Sequence, residues 1–405
     1  MTKRTHRALM AVILLSGVAA AQEWQMTEIA RGYSWVSPYW GYNTPKIVFD
    51  GSSYFTTGLW GAEPDQAHGV VYKYGGGSWQ KGMHLPDIYQ PATLSLDPEK
   101  RLLVVHTRKG KPVRVLRSIS PGNIREFEDL PSPPDMTEAY YIGIAIKGNS
   151  LYLAHLAGTT NNMYITSLDL GSRKWTSSLL VSEGKTGPKP RVAWTYPILQ
   201  ADDAALHMVA SNAPDGGEGN TYNEVWYVRM PLVPDRIVSK EKVAECPMGY
   251  LAYATDMTVD RPSGMVHVAL MFNHKVYGED QKLSEPEGTY HARRDSETGR
   301  WHLSRLGPMG ITGFGWTEEE LGAFSTEGGT VVERKWQAES RDWSEPVALF
   351  DAKGLPGAPS FLDVLSPSSG SVTKGGPAMV TDSLLPSSDG KPQERILWAV
   401  LPKER

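Results

Sequence analysis

Cysteine is almost absent from this chain: Cys246 is the only one among 405 residues. A single thiol cannot form a disulfide within the chain, so the stability of the fold must come from a buried core. An excess of positive charge is also lacking, since 41 lysines and arginines face 45 aspartates and glutamates, giving a formal net charge of −4. The charges are spread evenly, which excludes the basic surface patch typical of proteins that bind nucleic acids.

Long apolar runs are missing as well, except for one near the N-terminus. That run covers residues 8–18 and follows three basic residues, and nothing later approaches the stretch of about 20 apolar residues that spans a bilayer. A basic start, a short apolar run and small residues before Gln22 are the parts of a secretory signal peptide. We therefore predict a signal peptide over residues 1–21 and a secreted or periplasmic protein without membrane insertion, in which residues 22–405 form a single domain.

Helical periodicity is nearly absent, and short strand-like runs take its place. Residues 139–181 show the pattern most clearly, with four runs rich in β-branched, leucine and aromatic residues separated by turns rich in glycine, aspartate and asparagine. Four short strands joined by tight turns make one blade of a β-propeller.

The same unit recurs along the chain. The first strand of each unit ends at a turn residue, and these residues recur at intervals of 47 to 58 positions: Asp50, Asp97, Lys147, Asp202 and Asp260. Repeats of this length are typical of solenoids and propellers, and two further units fit residues 311–350 and 360–401. We therefore predict an all-β fold, a β-propeller of seven four-stranded blades, with six or eight blades as open alternatives. Residues 27–36 are expected to add a strand to the last blade and close the ring.

The predicted topology brings two sets of positions to one face of the propeller, because the first strand of each blade leaves that face and the second strand returns to it. Aromatic and polar residues are concentrated at these positions. Aromatic rings stack on the apolar faces of sugars, polar groups pair with hydroxyls, and arginine pairs with the carboxylate of a uronic acid. We therefore predict a carbohydrate site with these substrate-binding residues: Tyr42, Trp60, Tyr89, Arg108, Tyr141, Trp194, Asn212, Tyr253, Asp256, Asn273 and Trp316.

Two histidines at matched positions of neighbouring blades are the first candidates for catalysis. Counted from the preceding turns, His106 and His155 occupy the same position of the second strand, where later blades have apolar residues. Because such positions can point toward one ligand, we predict a catalytic group of His106, His155, Tyr196 and Arg191. Either histidine or Tyr196 would act as base or acid, and Arg191 would hold a carboxylate. His207 falls in another register of its strand and is interpreted as structural.

Two turns resemble the Asp box of BNR-repeat propellers, the sialidase superfamily. One is Ser167–Trp175, which has one residue too many before its tryptophan, and the other is Asp295–Trp301. The segments Tyr89–His106 and Tyr250–Asn273 also resemble BNR-repeat families that include secreted polysaccharide lyases. The resemblance implies a propeller fold with a glycan as its partner. It does not imply sialidase activity, because the Arg-Ile-Pro segment of sialidases is missing.

Three functions remain open at this point. A polysaccharide lyase abstracts the C5 proton beside a uronate carboxylate, and therefore needs a cation, here Arg191 or Arg108, and a base. A glycoside hydrolase needs two carboxylates, which could be Asp256 with one of three partners: Glu138, Glu224 or Glu318. The third alternative is a propeller that binds a glycan or a protein without turning it over.

None of these functions requires a cofactor, and we expect a monomer that acts on a polysaccharide or an oligosaccharide. The sequence contains two candidate sites for a divalent metal ion. Residues 215–220 combine oxygen ligands with flexible glycines, which suits calcium. His106 with His155 could bind zinc, although the sequence identifies no third ligand.

Overall fold

The computed structural model describes residues 24–34, 36–37, 45–88, 90–108, 110–134, 136, 139–157, 160–184, 194–212, 223–246, 250–260, 263–274, 287–317, 320–351, 359–371, 377–385 and 394–403. These residues form thirty β-strands and two single turns of 3₁₀ helix, at Pro64–Gln66 and Pro367–Ser369, without an α-helix. No helix in this part of the chain is long and apolar enough to cross a lipid bilayer.

The strands form seven sheets, which we number as blades 1 to 7 in chain order. Strand β1 (Trp24–Tyr33) comes first in the chain but belongs to blade 7. Blade 1 contains β2 (Ile47–Phe49), β3 (Tyr54–Trp60), β4 (His68–Gly75) and β5 (Ser78–Leu85). Blade 2 contains β6 (Thr93–Leu96), β7 (Leu102–Arg108), β8 (Lys111–Ser118) and β9 (Phe127–Leu130). Blade 3 contains β10 (Ala139–Lys147), β11 (Ser150–Ala157), β12 (Met163–Asp169), β13 (Lys174–Trp175) and β14 (Leu179–Ser182).

The remaining blades follow the same plan. Blade 4 contains β15 (Trp194–Ala201), β16 (Leu206–Asn212), β17 (Glu224–Met230) and β18 (Ser239–Glu245). Blade 5 contains β19 (Tyr250–Asp260), β20 (Met265–His274), β21 (Gly288–Arg294) and β22 (Trp301–Gly307). Blade 6 contains β23 (Thr312–Thr317), β24 (Glu320–Glu327), β25 (Thr330–Gln337), β26 (Asp342–Trp343) and β27 (Val347–Asp351). Blade 7 contains β28 (Pro359–Val364), β29 (Met379–Leu384), β30 (Glu394–Pro402) and β1.

The N-terminal strand closes the ring. Strand β1 pairs antiparallel with β30, from Trp24 opposite Pro402 to Tyr33 opposite Glu394, and so becomes the outermost strand of blade 7. Pairing the two ends of the described chain in one sheet leaves no gap between the last blade and the first. The predicted seven-bladed propeller and its closing N-terminal strand are both confirmed.

The apolar core lies in the layers of side chains between adjacent blades, which we call seams. Alternate side chains of a strand point to opposite faces of its sheet, and hence to opposite seams. In β7, Leu103 and Val105 pack with Leu153 in the seam between blades 2 and 3, whereas Val104 packs in the seam between blades 1 and 2. Burying one such side chain stabilises the fold by about 1.5–3 kcal/mol.

The two faces of the propeller differ. We call the face where β6, β10, β15 and β19 begin the mouth face, and the opposite face, where these strands end, the turn face. Residues 365–371, after β28, cross the channel at the turn face. There Ser95 of blade 2 donates a hydrogen bond to the carbonyl of Ser369 (2.9 Å), and Gln200 of blade 4 donates one to the Ser366 hydroxyl (3.0 Å). These hydrogen bonds hold residues 365–371 against blades 2 and 4 at the turn face.

Candidate functional site

Three tyrosines from three consecutive blades meet at the mouth face. Tyr141 of β10 and Tyr196 of β15 have ring centroids 4.5 Å apart, and Tyr196 and Tyr253 of β19 have ring centroids 5.4 Å apart. Tyr196, in the middle, is 8% exposed, and the two outer rings are half-buried. All three belong to the predicted site, and the structure brings them together as one tyrosine cluster.

The backbone of the cluster is bulged and strained at two of the three tyrosines. In β10, Tyr141 and Ile142 lie opposite one residue of β11, His155, and β15 has a bulge at the corresponding place. Tyr141 has φ 46° and Tyr196 has φ 53°, a left-handed conformation that bulky residues rarely adopt. Such strain persists only where surrounding contacts impose it, and it is enriched at functional sites.

A glycine allows the two strained strands to approach each other. A Cβ atom at Gly143 would lie 2.3 Å from the carbonyl oxygen of Pro197, so any larger side chain would push β10 away from β15. Pro197 is tolerated inside β15 because it lies in the bulge, where no ladder hydrogen bond is needed from its nitrogen. The Gly143–Pro197 contact therefore sets the spacing of Tyr141 and Tyr196.

Gln90 supports the cluster from blade 2. Its Oε1 accepts a hydrogen bond from the backbone N–H of Tyr141 (3.2 Å), although the two residues are 51 positions apart in the chain. The side chain is only 5% exposed, and its Nε2 has no hydrogen-bond partner among the described residues. The sequence places Gln90 before the first strand of blade 2, on the predicted face, but it was not selected as a site residue because a glutamine beside a turn carries no distinctive signal.

His106 and His155 occupy matched positions near the mouth-face ends of β7 and β11. They are 0% and 3% exposed, and neither ring nitrogen of either residue has a hydrogen-bond partner in the described structure. Burial lowers the pKa of both imidazoles to about 3, with a smaller contribution from Arg114 at His106. Both rings are therefore neutral near pH 7.

The two histidines do not point toward one shared space, which corrects the sequence-based expectation. By strand alternation, His106 faces the seam between blades 1 and 2, as Val104 does, whereas His155 faces the seam between blades 2 and 3, as Leu153 does. The physical reason is that a second strand has neighbours on both sides, so its side chains enter the seams rather than the channel. His155 stacks on Tyr164, with ring centroids 5.7 Å apart.

Two predicted sugar-stacking tryptophans are core residues, which is a second correction. Trp60 is 7% exposed, and its indole N–H donates a hydrogen bond to the Tyr72 hydroxyl (2.8 Å). Trp194 is 2% exposed and stacks on Trp226, with the Lys240 ammonium 4.5 Å from its ring centroid. Both rings lie at mouth-face ends of strands but fill the seams, so neither offers a face to a ligand.

Trp316 lies on the wrong face for the predicted site. It stands near the end of β23, opposite Leu321 of the following strand, and its indole donates a hydrogen bond to Thr258 near the end of β19 (3.0 Å). The end of a first strand belongs to the turn face. The sequence-based expectation failed because it placed Trp316 before the first strand of blade 6, whereas that strand contains it.

Polar residues of the predicted site are distributed along the mouth-face ends of the blades. Asn212 donates a hydrogen bond to Glu224 (2.6 Å), and Lys242 forms an ion pair with the same carboxylate (2.6 Å). Burial raises the pKa of Glu224, but hydrogen bonds from its neighbours outweigh this effect and hold the pKa below its ordinary value. Arg108 donates to the carbonyl of Pro112, two hydrogen bonds of 3.3 and 3.1 Å.

Asn273 lies on the same face of the propeller. It is half-buried at the mouth-face end of β20, opposite Leu251 of β19.

Three residues of the predicted site lie outside the described residues: Tyr42, Tyr89 and Arg191. The same holds for the predicted calcium loop at residues 215–220. In the described part of the chain, no group of three or more His, Cys, Asp or Glu side chains is arranged to hold a metal ion.

Asp256 lies in the wall of the channel. One carboxyl oxygen accepts the backbone N–H of Met257 (2.7 Å) and the other accepts that of Phe314 in blade 6 (2.6 Å). The surrounding protein raises the pKa of Asp256 to about 8, chiefly by excluding water, and the nearby Asp363 adds to this effect. The carboxyl group is therefore largely protonated at neutral pH, and both of its oxygens already accept hydrogen bonds from the main chain.

A second group of charges in the channel was not found from the sequence. The backbone N–H of Lys46, just before blade 1, donates a hydrogen bond to the Asp363 carboxylate of blade 7 (3.1 Å). Burial lowers the pKa of the Lys46 ammonium and raises that of Asp363, and their mutual attraction opposes both shifts. These residues are 317 positions apart in the chain, so no local pattern relates them.

Comparison with known proteins shows the fold and nothing finer. No protein-family model and no curated protein matches the chain. A solved ulvan lyase, a polysaccharide lyase bound to a glucuronate and sulfated-rhamnose ligand, is 12% identical with a TM-score of 0.61, over 92% of this chain and 95% of that one. An oligogalacturonate lyase in complex with manganese is 11% identical with a TM-score of 0.50, over 95% of both chains. The chain is therefore a seven-bladed β-propeller similar in fold to these two lyases.

Proposed function

We propose that this protein is a polysaccharide lyase that cleaves a uronate-containing glycan at its mouth face. The observation that carries the proposal is the tyrosine cluster at the mouth face, together with two buried, neutral histidines near the mouth-face ends of blades 2 and 3 whose ring nitrogens have no partner within the described residues. Buried polar atoms are nearly always hydrogen-bonded, and exceptions are enriched at sites that receive a ligand. The fold similarity to two lyases of acidic glycans favours the same class of substrate.

The proposed reaction is a β-elimination. A base removes the C5 proton beside the carboxylate, the electron pair forms the C4–C5 double bond, and the bond from C4 to the glycosidic oxygen breaks. That oxygen takes a proton from an acid. Among the predicted proton-transfer residues, Tyr196 is the one whose ring reaches the cluster at the mouth face, so we assign it to proton transfer.

The histidines suit a supporting role in this reaction. Neutral imidazoles at His106 and His155 can each donate one hydrogen bond and accept another. Substrate oxygens that enter the seams would supply the partners that both rings lack. Arg108 or Arg191 would neutralise the uronate carboxylate, which acidifies the C5 proton.

Glycoside hydrolysis is disfavoured by the state of the carboxyl groups. Asp256 uses both oxygens for main-chain N–H groups, and Glu224 is held by Asn212 and Lys242. A hydrolase needs one protonated and one free carboxylate on either side of the scissile bond. The two other predicted carboxylates, Glu138 and Glu318, lie outside the described residues.

The test is product formation from a panel of uronate glycans. The lyase product contains a C4–C5 double bond, which is followed by its ultraviolet absorbance. Tyr196→Phe keeps the ring and removes the hydroxyl, and it should lower kcat by about 10²–10⁴-fold, the usual contribution of a general acid or base. As a matched control, Tyr72→Phe removes a buried hydroxyl that accepts the Trp60 hydrogen bond, and it should leave kcat unchanged.

Other outcomes of the same assay identify the alternatives. New reducing ends without the double bond would mean hydrolysis. Binding measured by calorimetry without any product, for every glycan in the panel, would mean a non-catalytic propeller. Unchanged kcat in Tyr196→Phe would overturn the assignment of Tyr196 while leaving the reaction class in place.

A further inference from the structure

The seam between blades 2 and 3 contains an unusual group of polar side chains near the mouth face. Gln90, Thr93, Thr107 and His155 are between 0% and 5% exposed. Each has a polar side-chain atom without a hydrogen-bond partner in the described chain: Nε2 of Gln90, the hydroxyls of Thr93 and Thr107, and both ring nitrogens of His155.

Strand register places these side chains in the same seam. Val105 packs against Leu153 between blades 2 and 3. Thr107 is two residues after Val105 in β7, and Thr93 is paired with Val105 across the sheet, so both share its side. His155 is two residues after Leu153 and faces the seam from blade 3.

Gln90 joins the group through its bond to blade 3. Its Oε1 accepts the Tyr141 N–H, and Tyr141 lies in the bulge opposite His155. The bond to Oε1 fixes the orientation of the amide group, and Nε2 remains available as a hydrogen-bond donor. A group of buried donors without partners is energetically unfavourable in an empty site.

Other buried polar side chains of the propeller use their donors within the protein. Between blades 1 and 2, the buried Thr57 donates its hydroxyl hydrogen bond to the carbonyl of Ala92 (2.9 Å). At the other end of the channel, the buried Gln200 uses Nε2 twice, toward the Met257 carbonyl (2.9 Å) and the Ser366 hydroxyl (3.0 Å). Buried hydroxyls without a partner in the described structure also occur in other blades, at Thr195, Ser211 and Thr381 among others. The seam between blades 2 and 3 differs because its two hydroxyls lie together with the unpaired Gln90 amide nitrogen and the unpaired ring of His155.

We propose that the seam between blades 2 and 3 is a sugar subsite, in which Gln90 Nε2 and the Thr107 hydroxyl donate hydrogen bonds to one oxygen-bearing group of the glycan. The proposal rests on the proposed function and extends it by assigning a substrate-positioning role to Gln90. The donor-rich group fits a hydrogen-bond acceptor, either a carboxylate or a hydroxyl oxygen. Because Gln90 also holds Tyr141, an occupied subsite would connect substrate binding to the position of the tyrosine cluster.

Three variants separate the roles of the two ends of Gln90. Gln90→Glu keeps an acceptor for the Tyr141 N–H and removes the Nε2 donor. Gln90→Met removes both. Gln200→Met is the matched control, because it removes a buried glutamine whose Nε2 is fully paired at the turn face.

The expected results differ between binding and stability. Gln90→Glu should raise KM, and the calorimetric Kd for a uronate oligosaccharide, by about tenfold, the equivalent of one hydrogen bond to an anionic or hydroxyl oxygen, with a smaller change in kcat. Gln90→Met should raise KM similarly and also lower kcat, since Tyr141 loses its support. Gln200→Met should lower the denaturation midpoint and leave KM and Kd unchanged.

A carboxyl-reduced oligosaccharide identifies the group that is bound. If the subsite holds the carboxylate, the negative charge of Gln90→Glu will weaken binding of the native glycan more than that of the reduced one. Equal weakening of both assigns the subsite to a hydroxyl. Wild-type KM and Kd in both Gln90 variants would overturn the subsite even where the protein is an active lyase.

A second measurement decides the subsite if no glycan in the panel is cleaved. A crystal structure of the protein soaked with glucuronate should show an oxygen of the sugar within hydrogen-bonding distance of Gln90 Nε2 and Thr107 Oγ1. A seam in which these atoms are paired only with water, or have no partner, would overturn the proposal. Binding without cleavage would instead refute the lyase reaction and retain the subsite.

Discussion

Replacing His155 with leucine is expected to maintain or raise the stability of the protein while lowering its activity on glycans. Both ring nitrogens of His155 are buried without a partner among the described residues. Such a group costs about 1–3 kcal/mol, and an apolar side chain of similar volume removes that cost at the expense of less than about 1.5 kcal/mol in packing. The free energy of unfolding should therefore stay level or rise by up to about 2 kcal/mol.

His207 provides the matched control for this variant. It lies in the second strand of blade 4 and was interpreted as structural from its register. Its Nδ1 is 2.6 Å from the Tyr227 hydroxyl and its Nε2 is 3.1 Å from the Asp202 carboxylate. His207→Leu removes the partner of the Tyr227 hydroxyl and of Asp202 Oδ2, while Asp202 Oδ1 keeps its bonds from the backbone N–H groups of Ala204 and Ala205. It should lower the free energy of unfolding by about 1–3 kcal/mol.

Acid pH should widen the difference between His155→Leu and the wild type. Burial lowers the pKa of His155 from its ordinary 6.5 to about 3, so between these values the unfolded chain binds a proton that the folded protein does not. The contribution of His155 to stability is therefore present above pH 6.5 and decreases as the pH falls toward 3. His155→Leu should lose this pH dependence.

Denaturant unfolding followed by tryptophan fluorescence measures these effects, with product formation measured in parallel. A loss of stability in His155→Leu as large as that in His207→Leu would show that His155 has a structural partner. That result would refute the idea that its nitrogens are kept for a ligand.

Two further predictions concern the strained strands and the channel. Gly143→Ala should lower the free energy of unfolding by about 1–3 kcal/mol, because its Cβ would lie 2.3 Å from the Pro197 carbonyl oxygen, and it should lower kcat by separating Tyr141 from Tyr196. Gly171→Ala, whose Cβ would have only an ordinary 3.5 Å contact, should be neutral in the same denaturation and activity assays; equal effects of the two substitutions would contradict the reasoning. Asp256→Asn should flatten the pH dependence of unfolding, because a pKa raised from 3.8 to about 8 in the folded protein gives stability that is present below pH 3.8 and lost as the pH rises through 8. Denaturation midpoints across that range that fall in parallel with the wild type would contradict it.

The fold could be predicted largely from the sequence, because the information is repeated locally. Strand runs and turn residues recur in every blade, and a wrong boundary in one unit does not disturb the others. The closing role of the N-terminal segment followed from the need to remove sheet edges, and β1 indeed pairs with β30. Blade 6 shows the limit of this approach. The predicted start of its first strand was wrong by a few residues, so Trp316 was expected at the mouth face although it lies at the turn face.

The sequence could predict site residues only where the strand topology determines on which face of the propeller a residue lies. Tyr141, Tyr196 and Tyr253 were assigned to one face by their places before or at the starts of first strands, and the structure brings their rings into contact. The sequence did not show which aromatic rings fill seams, and Trp60 and Trp194 do so.

Contacts between distant parts of the chain could not be predicted from local sequence patterns. The unpaired Nε2 of Gln90 depends on what surrounds it in three dimensions, which neither residue type nor spacing reveals. The bond between Lys46 and Asp363 joins the first and last blades across 317 positions. Both features follow from the closed ring rather than from any segment of the chain.

A crystal structure of the Tyr196→Phe variant with a uronate oligosaccharide bound is the measurement that decides whether the mouth face is the glycan site. We expect a sugar ring against Tyr141 and Tyr253, with its oxygens within hydrogen-bonding distance of Gln90. A sugar bound at the turn face, or a mouth face that stays free of sugar at saturating concentration, would contradict the assignment of this face.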